Sequence, residues 1–356
     1  MSERSLPDPS AWVCPLPLRD TIRIVLGHGG GGILSEELIE NLFLPAFGSA
    51  DGPSRDSAVL DVPAGRIALT TDSYIVNPLF FPGGNIGDLA VNGTINDLAC
   101  SGAQPIGLTA GFILEEGLEL ETLAAVAQTM GRAAAAAGVA IVAGDTKVVG
   151  VGGADGLFVT TAGVGVIPAG VDIGPQRARP GDHVLVSGNI GEHGVAVMSL
   201  REGIDFGTTV TTDSAPLHRM VAAMLDSVDD PMVIHALRDP TRGGLVAAVV
   251  EIARAAGVGV ELDEPCIPVP ETVASACGFL GLEPLQVANE GKLIAFVDPD
   301  HSEPVLAAMR SCPEGADAAL IGQVVSAHPG MVVARTAFGT TRVVERDLGE
   351  QLPRIC

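Results

Sequence analysis

Basic residues are scarce in this chain, and aromatic ones scarcer still. Twenty lysines and arginines stand against 43 acids, a formal net charge of −23. That imbalance excludes nucleic acid as a partner, because binding a phosphate backbone requires a basic surface. A single nucleotide carried with a divalent cation is not excluded, since carboxylates are then wanted as ligands. One Trp, one Tyr and 3% aromatics overall mean that the core must be aliphatic. No apolar run approaches a membrane span, and the Ser/Pro-rich stretch from Met1 to Arg19 lacks the apolar segment of a signal peptide. The six cysteines (Cys14, Cys100, Cys266, Cys277, Cys312 and Cys356) include no C-x-x-C pair. That speaks against a zinc site or a disulfide frame and for reduced thiols in the cytoplasm.

What is present points to an α/β enzyme. The 356 residues are 47% hydrophobic, enough for two domains with separate cores, and 45 glycines with 25 prolines imply many short loops. Apolar runs predict strands at 66–71, 105–114, 139–143, 157–167, 183–187, 258–262, 293–297, 318–325 and 331–335. Helical spacing predicts helices at 35–43, 85–100, 118–137, 192–201, 214–226, 242–256 and 303–310. This mixed order reads as α+β layers over a doubly wound sheet. The Pro/Gly/Arg-rich stretch from Pro168 to Gly181 divides the chain. The expected organisation is a leader and glycine-rich loop at 1–56, a first domain at 57–168, a second at 169–343 and a flexible tail at 344–356.

Gly27, Gly29 and Gly32 formally satisfy G-x-G-x-x-G, but Leu44 to Pro53 is a loop where a dinucleotide fold needs its second strand. Ile33 stands where a Walker loop needs lysine. The segment therefore reads as a glycine flap over phosphates or as a flexible linker. More telling is a set of polar residues repeated at similar places. Asp72, Asp145 and Asn189 are expected just past apolar strands, Asp97 on the next helix, and Asp239 at a helix entrance beside Gly243 and Gly244. Each alone reads as a cap or turn former. Together they offer the hard oxygen ligands that Mg²⁺ on a polyphosphate needs, with Lys147 as a point charge for a phosphate in transfer. Cys356 carries a thiol, a strong nucleophile, on a polar, breakable run that can swing it between places.

Seven motifs carry a resemblance. They are Thr70-Thr71-Asp72-Ser73, Asn96-Asp97-Leu98-Ala99, Gly144-Asp145-Thr146-Lys147, Ser187-Gly188-Asn189-Ile190-Gly191-Glu192-His193-Gly194, Arg238-Asp239-Pro240-Thr241-Arg242-Gly243-Gly244, Asn289-Glu290-Gly291-Lys292 and Pro353-Arg354-Ile355-Cys356. From about Ile24 onward the chain resembles the HypE family of nickel–iron hydrogenase maturation factors. That family lies within the aminoimidazole-ribonucleotide-synthetase-like ATP-binding superfamily, whose selenophosphate synthetases and thiamine-monophosphate kinases share the internal acidic motifs. The Pro-Arg-Ile-Cys ending is particular to the HypE family.

The resemblance implies two α/β domains, each a mixed sheet backed by helices, with ATP in a cleft and the tail folding back into it. It implies that a HypF-like carbamoyltransferase loads Cys356. ATP then drives loss of water to a thiocyanate, and a HypC–HypD-like iron complex receives the cyano group. On that reading Asp72, Asp97 and Asp239 hold Mg²⁺, and Asn96, Asp145, Thr146 and Asn189 line the nucleotide. Lys147 neutralises the moving phosphoryl group, and Glu290 removes protons. The resemblance also implies a homodimer, for which the strands of the first domain are long enough to supply the interface. The rival readings are a small-molecule ATP-dependent kinase or ligase of the same superfamily, in which Cys356 is dispensable, and a nucleotide-stabilised binding protein.

Overall fold

The computed structural model describes residues 22–48, 58, 60–63, 65–204, 209–346 and 354–356. The leader with Cys14, and the tail segment from Asp347 to Pro353, lie outside the described residues.

The first domain opens with the glycine segment and a helical stretch, α1 (Ile33–Leu38) and α2 (Leu44–Phe47), joined through a π-turn at Ile39–Phe43. Then come β1 (Arg66–Tyr74), a small hairpin of β2 (Phe80–Phe81) and β3 (Gly84–Asn85), α3 (Ile86–Cys100) and β4 (Gln104–Glu115). The domain closes with α4 (Leu120–Ala137), β5 (Ile141–Val149) and β6 (Leu157–Ile167). The sheet order is β1-β6-β4-β5. Its only parallel pair is β4 with β5, the pair that α4 connects, as a crossover helix requires.

Period-two alternation decides what this sheet covers. Ala68, Thr70, Asp72 and Tyr74 of β1 face α3, whereas Ile67 and Leu69 point away and are 51% and 74% exposed. Asn85 starts α3 by accepting the Gly87 N–H on its side chain, while Asp88 accepts the Asn85 N–H; this is a reciprocal cap.

The second domain contains β7 (His183–Val186), α5 (Glu192–Arg201), α6 (His218–Asp226), β8 (Ile234–Arg238), α7 (Gly244–Ala256) and β9 (Gly259–Asp263). It continues with α8 (Glu271–Leu280), β10 (Ile294–Val297), α9 (Ser302–Arg310), β11 (Ala319–Val325), β12 (Val332–Arg335) and β13 (Thr341–Val344). Its sheet runs β13-β12-β9-β11-β7-β10-β8. Val184, Val186, Ile294 and Phe296 join the α7 core, while the alternate residues Leu185, Ala295 and Val297 join the α6 and α9 core. Both faces are covered at β7, β10 and β8, which read as continuous apolar runs, whereas β9, β11 and β12 bury one face and leave Glu261, Gln323 and Arg335 open on the other.

Two sequence expectations need correction. Asp72 and Asp145 do not follow strands; they lie inside them, because β1 runs on to Tyr74 and β5 to Val149. The eleven-residue β6 and twelve-residue β4 supply pairing partners beyond the acids and carry the ladder through them. The helix expected from residue 214 begins only at His218, after Pro216. Asn189 stands in the loop after β7, as read, and Asp239 in the loop that leads into α7, where a helix entrance was expected.

Candidate active site

A buried acidic cleft forms where α3 and β1 of the first domain meet the loops of the second. On β1, Asp72 accepts a hydrogen bond from the Tyr74 hydroxyl at 3.0 Å, and on α3, Asp97 accepts one from the Thr70 hydroxyl at 2.6 Å. Tyr74 reaches Asp72 only because Gly93 of α3 leaves room, since a Cβ there would collide with the phenol oxygen. Asp239 enters from the second domain. Burial first, and then the Asp97 carboxylate, push its pKa up to about 7. Burial and the same neighbour also raise Asp72.

Glu290 is the deepest of these acids, at 3% exposure, with Oε1 unpaired. Desolvation first, then the charges of Asp213, Asp239 and Asp72, hold its carboxyl well above the usual range. Its loop is fixed from both sides. The N–H groups of Glu290 and Gly291 donate to the two oxygens of Asp213 at 3.1 and 3.3 Å. The amide of Asn96 donates to the Glu290 and Ala215 carbonyls and accepts the Leu217 N–H. Lys292 lies 3.8 Å from Asp213 and 4.0 Å from Glu192.

Cys356 folds inward against this acid. Its thiol is raised by burial first and then by the charge of Glu290 beside it; Arg242 pulls the other way. Its position is set by main-chain bonds. The Ile75 N–H donates to the Cys356 carbonyl at 3.3 Å and the Asn77 N–H to the Arg354 carbonyl at 3.2 Å. Arg354 pairs with Asp155, and the Ile355 side chain is buried in an apolar core shared by the first domain and α5 and α8 of the second.

A second cavity of about 230 Å³ lies under the glycine segment, walled by Phe43, Phe47, Phe112 and Thr146. The rings of Phe43 and Phe112 are 4.7 Å apart. Gly29 presses directly on the β5 backbone at Lys147 and Val148, where a Cβ would not fit. The glycine segment therefore covers β5. Lys147 makes two 2.7 Å contacts to Asp145, and both side chains are exposed.

Within one chain the structure does not bring Lys147 to Cys356. Asp72 pairs with Thr161, Thr161 with Ala110 and Ala110 with Gly144. Three strand spacings, roughly 14 Å, thus separate Asp72 from the β5 edge. Asp145 and Lys147 alternate with Gly144 and Thr146 onto the opposite face. Glu290 and Asp72 do lie by Cys356, with Asp239 beside both of those acids and Asp97 beside Asp72 and Asp239. Asn96 works as the clamp just described, and Asn189 donates to Asp317 at 3.1 Å. Sequence reasoning gave no role to Asp213, Tyr74 and Arg242; of these Arg242, inside the motif at 238–244, and Tyr74, the one tyrosine of the chain, carried a signal.

The donor chemistry suits a hard dication, since burial first and repulsion from Asp97 second raise both Asp72 and Asp239. Among the described residues no three acidic, histidine or cysteine side chains gather closely enough to hold a metal alone. That fits Mg²⁺, which takes one or two carboxylates and completes its shell with phosphate and water.

Two mixed-sheet domains enclosing an acid-lined cleft define a protein of the AIR synthase related class. The N-terminal domain family of that class matches residues 54–167 and the C-terminal domain family matches 179–334. Within the class, the chain belongs to the HypE family of carbamoyl dehydratases. It is 52% identical over 335 residues to the carbamoyl dehydratase HypE of Rhizobium leguminosarum bv. viciae, covering 94% of this chain and 95% of that one. A solved HypE in complex with ATP shares 47% identity at a TM-score of 0.88, covering 93% of this chain and 99% of the other. A HypE–HypF complex aligns at a TM-score of 0.77 with 44% identity, covering 89% of this chain and 100% of the other.

Proposed function

We infer that this chain is an ATP-dependent carbamoyl dehydratase of hydrogenase maturation. It converts a carbamoyl group on Cys356 to a thiocyanate, the source of the cyano ligand on the iron of nickel–iron hydrogenase. The observation that carries this reading is the seating of Cys356 against the buried Glu290, beside Asp72 and Asp239.

A thiocarbamate, S–C(=O)–NH₂, does not lose water at neutral pH because oxide is too poor a leaving group. Transfer of the ATP γ-phosphoryl group to the carbonyl oxygen converts that oxygen into departing phosphate. One N–H proton leaves as the oxygen is phosphorylated and the second as the C–O bond breaks, leaving S–C≡N, ADP and phosphate. Glu290 takes the proton from nitrogen. Its buried carboxyl, once ionised, is a stronger base than an exposed one. Arg242 offsets negative charge beside the sulfur. Asp72, Asp97 and Asp239 are the acids that would hold Mg²⁺, one or two of them as direct ligands and the rest through water, and the ion would neutralise charge on the phosphates. The aromatic cavity beside Thr146 takes the nucleotide base, with Asp145 at its rim; Asn96 contributes by holding the Glu290 loop, and Asn189 by its loop near Lys292.

The role of Lys147 at the phosphoryl group requires a second copy of the chain. The uncovered face around Ile67 and Leu69, with the edge of β1, is the surface for a homodimer that carries Lys147 of one copy to the cleft of the other. The HypE–HypF complex supports a HypF-like carbamoyl donor. A HypC–HypD-like complex is the proposed acceptor, and the cytoplasm the proposed setting.

Mass analysis of the peptide Gln351–Cys356 tests the reading directly. With a carbamoyl donor it should gain one carbamoyl group, then lose one water only when ATP is added. Glu290→Gln should load normally but dehydrate about 10²–10⁴-fold more slowly. A peptide that stays bare under turnover conditions overturns the function; full-rate dehydration by Glu290→Gln removes that residue from the mechanism.

A further inference from the structure

His193 opens α5 from the second domain and is fully buried, yet no step of the chemistry above uses it. Its ring nitrogens have two partners, the Ile355 carbonyl at 2.8 Å from Nε2 and the Thr212 hydroxyl at 2.8 Å from Nδ1. A carbonyl only accepts, so Nε2 carries the proton and donates to it. Burial lowers the His193 pKa and keeps the ring neutral, so Nδ1 accepts from the Thr212 hydroxyl. That hydroxyl is itself held, accepting the Ser214 N–H at 3.1 Å. The edge-on Phe81 ring, 5.5 Å away, closes the remaining side.

We propose that His193 is the positioning residue that latches the Arg354–Cys356 segment in the cleft and so decides how often the Cys356 thiol lies against Glu290. The proposal rests on the carbamoyl-carrier reading for its purpose but not for its geometry. The other tail contacts are of a different kind. The bonds from Ile75 and Asn77 come from main chain, which every extended segment offers. Arg201 donates to the Arg354 and Asn77 carbonyls, but from an exposed position where water can replace it. His193, by contrast, is fully buried. When the tail leaves, a buried N–H loses its acceptor, which is costly unless the pocket floods. Arg354 sits at φ +54°, a left-handed conformation that a non-glycine residue keeps only under constraint, so the seated state needs something to hold it. A carrier that must visit a donor and return requires such a hold, strong enough to align the sulfur and weak enough to release it.

The test is the rate at which iodoacetamide alkylates Cys356 in the full chain without nucleotide, read on the Gln351–Cys356 peptide. His193→Leu should alkylate about tenfold faster than the parent. His193→Gln, whose amide can donate to the same carbonyl, should restore most of the protection. Thr212→Val, which frees the ring to turn, should fall between. If His193→Leu does not fold, the Gln and Val variants decide. His193→Gln unprotected, or Thr212→Val indistinguishable from the parent, overturns the latch. A folded His193→Leu that alkylates at the parent rate overturns it as well. In the presence of carbamoyl donor and ATP, His193→Leu should load at least as fast as the parent but dehydrate more slowly, by about the same factor. If the parent peptide never gains a carbamoyl group while the alkylation pattern holds, the function fails and the latch stands.

Discussion

Asp239 is in electrostatic conflict with its surroundings, and its titration makes that conflict measurable. An unfolded aspartate titrates near ~3.9, whereas the folded carboxyl titrates at about 7 because of burial and Asp97. The folded state therefore binds the proton more tightly, and the fold loses stability as pH rises between those two values. Asp239→Asn should stabilise the nucleotide-free protein at about pH 8, by roughly 1–3 kcal/mol, and have little effect near pH 4. Urea titrations at both pH values check this; equal destabilisation at both would contradict it. Mg²⁺-dependent nucleotide binding by the parent should weaken as pH falls through about 7, with a proton released per ion bound, and Asp239→Asn should lose that dependence. The acids themselves were legible because aspartates recur beside apolar runs. Asp213 was not, since nothing local marks a carboxylate whose two oxygens are taken by N–H groups nearly eighty residues away.

Among the elements, α3 carries the most consequence, because it meets β1 and β6 on one side and α4 on the other. Gly93 is where its backbone comes closest to the tyrosine of β1. Gly93→Ala should push the phenol off Asp72, cost about 1–3 kcal/mol of stability, and slow dehydration more than it slows carbamoyl loading. A variant with unchanged melting and unchanged dehydration would show that the Tyr74–Asp72 bond is incidental. Element ends were where sequence reading failed, and for a physical reason. Aspartate is disfavoured in strands, so local propensity ends β1 and β5 at their acids. The ladder to β6 and β4 overrides that preference, and only pairing across the sheet reveals it. β8 was missed similarly, because Ile234-His235-Ala236-Leu237-Arg238 has two polar residues in five. His235 is paired with Asp182 at 2.8 Å in the interior, which removes the penalty its side chain suggests.

At the scale of the whole molecule, the two sheets differ in what covers them. Where the second is open, along β9, β11 and β12, it shows mainly polar side chains such as Glu261, Gln323 and Arg335; the first leaves Ile67, Leu69 and Ile113 open. Exposed apolar side chains on one flat face mark an association surface. At micromolar concentration the parent should sediment as a dimer and Leu69→Lys as a monomer. The variant should lose ATP-dependent dehydration at least about tenfold, because Lys147 then meets no second cleft. Its Cys356 alkylation rate should not change, since the tail contacts lie within one chain. A monomeric variant with full dehydration would assign Lys147 to some other task.

The three residues that end the chain are bonded by Ile75 and Asn77 of one domain and by His193 of the other. The tail is therefore a tethered ligand of the cleft between them, at a local concentration set by chain length and untouched by dilution. Any donor that loads the thiol must outcompete this tether afresh in every cycle. The same tether returns the loaded sulfur to the cleft without a search through solution.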